Sequence, residues 1–220
     1  MVNITSLKLE KQLNGGATRN VFLCGSRNKK YVLKIYSNAL KCFIFDFCRS
    51  VLSFLAFNPN FEFMDLKKRI FNEINGRRII SHLNMPTSKV QAYSVRKKYL
   101  IENFIKGDNL FNNKKLNKKM IFRIGEYTAR VHLCKFSFID NRPQNYILSG
   151  KNLVRVDLES FKTNPSNFDK SCDVISFIKS FKNKDIEKSF LKGYNRYCKY
   201  GSNRYVEKLC SLFLCVLNKL

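Results

Sequence analysis

The sequence predicts an α+β protein of two lobes, a small β-rich lobe with one long helix followed by a mainly helical one. Three observations predict it. Short alternating runs rich in β-branched and aromatic residues crowd the first half of the chain, as at Tyr31, Val32, Leu33, Lys34, Ile35 and Tyr36. Leu66, Ile70 and Ile74 recur at four-residue spacing and make 65–83 an amphipathic helix, with Pro86 closing the region. Further on, 116–133 and 174–181 read as helices on either side of a polar loop and two brief apolar runs.

A chain of 220 residues can bury the core of one domain, or of two small lobes sharing a cleft. No internal repeat or low-complexity linker divides it. Residues 1–13 hold no apolar stretch long enough for a signal peptide, so export is not indicated and a cytoplasmic protein is the default. The eight cysteines form no Cys-x-x-Cys pair and have no histidine at ligand spacing, so neither a zinc site nor a disulfide framework is readable. They read mostly as small buried hydrophobes, with a disulfide-using hyperthermophile left open. The formal charge of +25, from 41 basic and 16 acidic residues, makes a real surface field. It fits an anionic partner such as RNA, an acidic membrane surface or a phosphorylated substrate, and equally a Lys- and Asn-rich chain with solvated basic faces.

Taken in order, 7–13 and 21–24 read as strands joined by Asn14, Gly15, Gly16 and Ala17. Two adjacent glycines let backbone N–H groups approach a phosphate, although Gly-x-Gly-x-x-Gly is absent and an ordinary hairpin turn explains them too. In the third strand, 31–36, period-two alternation puts Lys34 on the face opposite Leu33 and Ile35. Glu73 lies beside the apolar stripe of helix 65–83 and is its only acid after Asp65. It can reach across to Lys34, or pair on the surface with Arg69 or Arg77, each four residues away.

Between Lys34 and Glu73, residues 37–63 form a hydrophobic insertion. Asp46, Arg49, Ser50 and Ser53 make a narrow polar stripe at helical spacing and leave a wide apolar face. The segment is too short and too charged to span a bilayer. Its preferred reading is a helix packed on the small lobe; the rival is a membrane-surface or partner helix. Strands at 89–95 and 99–104 follow around a basic turn. The chain then crosses at Gly107, dividing 1–106 from 107–220.

The helix at 116–133 leads into Asp140, Asn141, Arg142, Pro143, Gln144 and Asn145. Two short apolar runs, 146–148 and 153–156, flank a Ser149, Gly150 turn and deliver Asp157. A turn explains Asp140, Asn141 and Pro143 one by one. It does not explain a hairpin that brings a second carboxylate back toward the first. Phosphoryl transfer needs such a pair, one carboxylate to orient the attacking hydroxyl and one to hold metal beside the triphosphate.

This order of residues resembles the protein-kinase-like superfamily, whose catalytic loop has the form Asp-x-Lys-Pro-x-Asn; Asp140, Arg142, Pro143 and Asn145 match it with Arg for Lys. The resemblance implies ATP and Mg²⁺ as cofactors. It implies that Asp140 accepts the hydroxyl proton, that Arg142 places positive charge near the transferring phosphoryl group, and that Asn145 and Asp157 ligate the metal. It further implies Lys34, held by Glu73, on the phosphates; Gly15 and Gly16 over them; and backbone groups of Glu102 and Phe104 on adenine. Asp173, at the start of the helix 174–181, would brace the catalytic loop.

Phe138 and Ile139 stand where eukaryotic enzymes usually carry His and Arg, and Leu158 and Glu159 follow Asp157 in place of Phe and Gly. Only 16 residues separate Asp157 from Asp173, too few for a long activation loop. The chain therefore looks like the compact atypical branch: RIO-like and KEOPS-complex kinases, aminoglycoside phosphotransferases and lipopolysaccharide-core kinases. The implied function is an atypical serine/threonine protein kinase. The alternatives are a small-molecule or lipid-sugar kinase of the same fold, and a non-catalytic pseudokinase or basic nucleic-acid-binding scaffold.

Overall fold

A computed structural model describes residues 4–13, 19–26, 28–37, 39–57, 63–112, 117–201 and 203–219. The turn with Gly15 and Gly16 lies outside the described residues.

Strands β1 (Lys8–Leu13), β2 (Arg19–Ser26), β3 (Lys29–Tyr36), β4 (Val90–Ser94) and β5 (Tyr99–Asn103) form an antiparallel sheet in the order β1-β2-β3-β5-β4. Side-chain alternation splits its residues between two faces. Cys24, Tyr31, Leu33 and Ile101 cluster on one, and Tyr36 and Leu100 pack with Leu66 and Ile70 on the other. Lys34 stands opposite Val21 and Leu100 in the central strand and is buried.

Two helices belong to this part, α1 (Ala39–Leu55) and α2 (Leu66–His82). Asp65 caps α2, its carboxylate accepting from the Lys68 N–H at 2.7 Å. The inward stripe of α2 mixes Leu66, Ile70 and Ile80 with Arg69, Glu73 and Arg77, all buried. Charges so placed are tolerable only with partners, and each has one.

Helix α1 packs against α2 and also reaches beyond it to the second part of the chain. Its polar stripe faces inward, where Arg69 of α2 donates to both Asp46 oxygens at 3.0 Å. Arg49 donates to Asp169 at 3.0 Å, and Phe45 packs on Phe213 with ring centroids 5.2 Å apart. The helix therefore ties the sheet-bearing part to the helical part.

The second part holds α3 (Lys118–Leu133), α4 (Asn167–Phe181), α5 (Lys184–Tyr194) and α6 (Arg204–Lys219). Among them run short strands β6 (Asp108–Asn109), β7 (Phe136–Ser137), β8 (Tyr146–Ser149), β9 (Asn152–Arg155) and β10 (Lys162–Thr163), paired as β6-β8-β9 and β10-β7. The main core gathers Ile124, Ala129, Phe138, Tyr146, Ile175, Phe177 and Phe190. Helices α3 and α5 cross at glycine: a Cβ on Gly125 would lie 2.1 Å from the Phe190 carbonyl, and one on Gly193 2.0 Å from that of Phe122. Only glycine permits that approach.

One boundary differs from expectation. Helix α4 begins at Asn167, because Ser166 and Asp169 form a reciprocal capping box, so Asp173 lies inside the helix and does not open it.

Candidate active site

Four buried charges meet between the sheet and α2. Lys34 Nζ contacts Glu73 Oε1 and lies 3.0 Å from Glu102 Oε1. Arg77 donates to the Glu73 carboxylate at 2.8 Å, to the Glu73 carbonyl at 2.8 Å and to the Glu102 carboxylate. Ser88 adds a hydrogen bond to Glu102 at 2.7 Å. Burial raises the Glu73 carboxyl, but Arg77, Lys34 and Arg19 outweigh it and hold the group well below the ordinary carboxylate range. Glu102 is lowered in the same way, with burial opposed by Arg77 and Lys34. Lys34 and Arg77 thus share Glu73 in a buried network, in place of the alternative surface pair with Arg69 or Arg77, and Arg69 pairs with Asp46.

Glu73 also reaches the second part of the chain. Its Oε2 accepts the Leu158 N–H at 2.7 Å, next to Asp157. Gly76 makes room for this contact, since a Cβ there would meet Phe161 at 3.0 Å and Leu158 at 3.1 Å.

The loop 138–145 is fastened from below. Asp173 Oδ2 accepts from the Phe138 N–H at 2.8 Å, Ser137 Oγ at 2.7 Å and His132 Nε2 at 2.9 Å. Asn141 Nδ2 donates to Thr128 Oγ1 at 3.0 Å and to the Asp173 carbonyl at 3.3 Å. These ties hold Ile139 at φ 62°, a left-handed conformation that a β-branched residue resists, at a cost of about 1–3 kcal/mol. Asp157 is left-handed as well, at φ 65°.

Arg155 holds the two acidic residues together. It is fully buried, sandwiched between the rings of Phe138 and Tyr146 at 4.6 and 4.7 Å. Its Nη2 donates to the Asp140 carbonyl at 2.6 Å and the Asp157 carbonyl at 3.3 Å. Asn145 Nδ2 donates to the same Asp140 carbonyl at 3.0 Å, which commits its nitrogen and leaves Oδ1 for a cation.

Both carboxylates are met by arginine. Arg142 forks onto Asp140, Nε to Oδ1 at 2.6 Å and Nη2 to Oδ2 at 2.8 Å. Burial raises the Asp140 pKa, but Arg142 and then Arg155 outweigh it, so the carboxyl sits below its ordinary range. Arg19, from the start of β2, lies 2.5 Å from Asp157 Oδ2 and also contacts Glu159.

A cleft of about 510 Å³ opens between the sheet and the loop, lined among others by Lys34, Phe104, Arg142, Asn145 and Asp157. That volume suits a cofactor-sized ligand. Glu102 and Phe104, the two residues whose backbone groups are expected at adenine, lie on its wall. The Glu102 side chain is spent on Lys34 and Arg77, and the Phe104 N–H is donated to the Lys30 carbonyl at 3.2 Å. Sequence reasoning missed Arg19, Arg155 and the network roles of Arg77 and Glu102. A lone arginine inside the otherwise apolar run 153–156 was the one available signal for Arg155.

No protein-family model matches the sequence, and no curated protein does. Solved structures do. WaaP in complex with acyl carrier protein is 11% identical with a TM-score of 0.55, over 96% of this chain and 87% of that one. The Rio2 kinase–ADP/Mg²⁺–phosphoaspartate complex from Chaetomium thermophilum is 10% identical with a TM-score of 0.58, over 97% and 71%. Choline kinase LicA from Streptococcus pneumoniae is 14% identical with a TM-score of 0.58, over 96% and 86%. At such identities the likeness shows the fold alone, a kinase-like α+β fold.

Proposed function

We propose that this chain is an ATP- and Mg²⁺-dependent phosphotransferase that moves the γ-phosphoryl group of ATP to a hydroxyl. The observation that carries the reading is the convergence of Lys34, Arg142, Asn145 and Asp157 on one cleft of cofactor size. The donor set suits magnesium, a hard cation that takes one carboxylate and an amide oxygen and leaves its other positions to phosphates and water. Arg19 already places a cation on Asp157. When bound, Mg²⁺ supplies charge neutralisation on the phosphates.

Each residue then has a task. Lys34 is held between Glu73 and Glu102 on the cleft wall, where it meets the phosphates. Asn145 and Asp157 offer oxygens to the metal. Asp140, kept ionised by Arg142, still has carboxylate lone pairs free of that fork; these accept the proton of the attacking hydroxyl. The reading keeps Gly15 and Gly16, which lie outside the described residues, as phosphate-binding residues. Adenine lies against Glu102 and Phe104, with the Phe104 carbonyl as acceptor and Ile105, also on the cleft wall, supplying the N–H that Phe104 has spent. The lobes divide at 106/107, where a Cβ on Gly107 would meet the Leu148 carbonyl at 2.2 Å.

The Arg142, Pro143 pair favours a serine or threonine hydroxyl of a protein as acceptor. A second reading, a small-molecule or lipid-sugar hydroxyl, is supported by the short span from Asp157 to α4, which starts at Asn167. One structural neighbour, the choline kinase, agrees with it. We place the protein in the cytoplasm, where ATP and Mg²⁺ are supplied, with an RNA or acidic membrane surface as anionic partner for its +25 charge. The test is incubation with labelled ATP and Mg²⁺ alongside protein, RNA-associated and lipid fractions, with Asp140→Ala as control. Label transfer lost in the variant supports the reading. Salt-sensitive RNA binding without any ATP turnover would instead make the chain a scaffold.

A further inference from the structure

Helix α1 is built inside out. Its one acid, Asp46, and its Arg49, Ser50 and Ser53 are buried. Leu40, Phe43, Phe47, Val51 and Phe54 follow one another at three- and four-residue spacing along one exposed face, and Phe57 and Phe63 are exposed as well. Phe57 is 87% exposed. At 17 residues the helix is about 25 Å long, so the stripe is far more than scattered surface apolarity. Among the described residues no helix is long and apolar enough to cross a membrane.

We infer that α1 is a docking surface for an anionic phospholipid bilayer, lying in the plane of the interface with its phenylalanines among the acyl chains. Charge selects this occupant. Exposed Lys67 and Lys98 border the groove beside Phe43 and Phe63, and the two acids there are already engaged, Asp46 by Arg69 and Asp65 as the cap of α2. A second copy would bring another +25 against that rim. RNA would satisfy the lysines, but stacking on bases needs open ring faces. Phe43 is stacked on Phe47 at 6.2 Å and on Phe63 at 5.3 Å, so these rings stack on one another. Acyl chains accept edges and aliphatic side chains alike.

The proposal stands apart from phosphotransfer and is tested by binding. The full chain is sedimented with phosphatidylglycerol-containing vesicles and with phosphatidylcholine vesicles, beside the triple variant Phe43→Ser, Phe47→Ser, Phe54→Ser, whose fold is checked by circular dichroism. The wild type is expected to bind the anionic vesicles at least about tenfold better than the triple variant, given the apolar area removed. The chain has no tryptophan, so Phe47→Trp adds a lone reporter. Its emission should shift to the blue and be quenched by brominated acyl chains. Vesicle binding without blue shift or quenching overturns the inference, since that is adsorption by charge alone. So does RNA binding, or a dimer abolished by the triple variant, with no vesicle binding.

Discussion

The Arg19 guanidinium lies 2.5 Å from Asp157 Oδ2, so the carboxylate proposed to hold magnesium already carries a cation from the chain itself. Metal and arginine cannot both hold that oxygen at full strength. Removing the arginine should therefore make the metal easier to bind. Arg19→Gln is expected to lower the half-saturating Mg²⁺ for ATP binding about fivefold, equivalent to about 1 kcal/mol of competition. Titration calorimetry with ATP across a Mg²⁺ series checks it, and an unchanged or raised requirement argues against a competing role for Arg19.

Asp140 must be ionised to accept a proton, so activity should fall as pH drops through its folded pKa. Arg142, with Arg155 behind it, holds that pKa below the ordinary aspartate range against the opposing effect of burial. The acid limb of the wild-type pH–rate profile should accordingly lie below that range. In Arg142→Ala burial loses its main opponent, and the limb should move to higher pH. Profiles that superimpose would rule out this part of the mechanism.

The Lys34, Glu73, Glu102 and Arg77 network is buried and leaves no member to spare. Glu73→Ala strands one carboxylate against two cations and removes the acceptor for Leu158. The expected cost is about 3–5 kcal/mol in denaturant unfolding. Because the folded pKa of Glu73 is depressed, its stabilising effect is complete above the ordinary glutamate pKa. It fades as pH falls toward the lower folded value. The deficit of the variant should shrink at acidic pH, and a deficit that grows there would contradict the pairing.

Arg155 touches the carbonyls of Asp140 and Asp157 and lies away from the cleft wall, which makes it a positioning residue. Arg155→Lys keeps the charge but loses the fork and the ring sandwich. We expect kcat to fall about 100-fold with the KM for ATP little changed. A rise in KM alone would mean that the residue serves nucleotide binding.

How far the sequence could be read depends on the range of each interaction. The strands and α2 were legible because alternation and four-residue spacing are local, and Asp65 and Leu83 do bound α2 as its caps. The contact between Lys34 and Glu73 could be anticipated from a strand lysine and a solitary helical acid. The inward turn of α1 could not: a polar stripe says nothing about which side is inside, and its partners Arg69 and Asp169 stand 23 and 120 residues from theirs. Helix α4 was read too short although Ser166 and Asp169 carry a capping signal, because Asp169 and Asp173 resemble loop residues when their buried partners are unknown. Arg19 is invisible in one dimension, since Asp157 lies far along the chain, and Arg155 shows only as a lone arginine in an apolar run.

The central claim is that Asp140 serves the chemistry and not the nucleotide. Single-turnover transfer from labelled ATP, with ATP affinity measured in parallel for wild type and Asp140→Ala, addresses it directly. The account predicts nearly unchanged affinity and a transfer rate lower by about 10²–10⁴-fold. Equal transfer rates in the two proteins would contradict it.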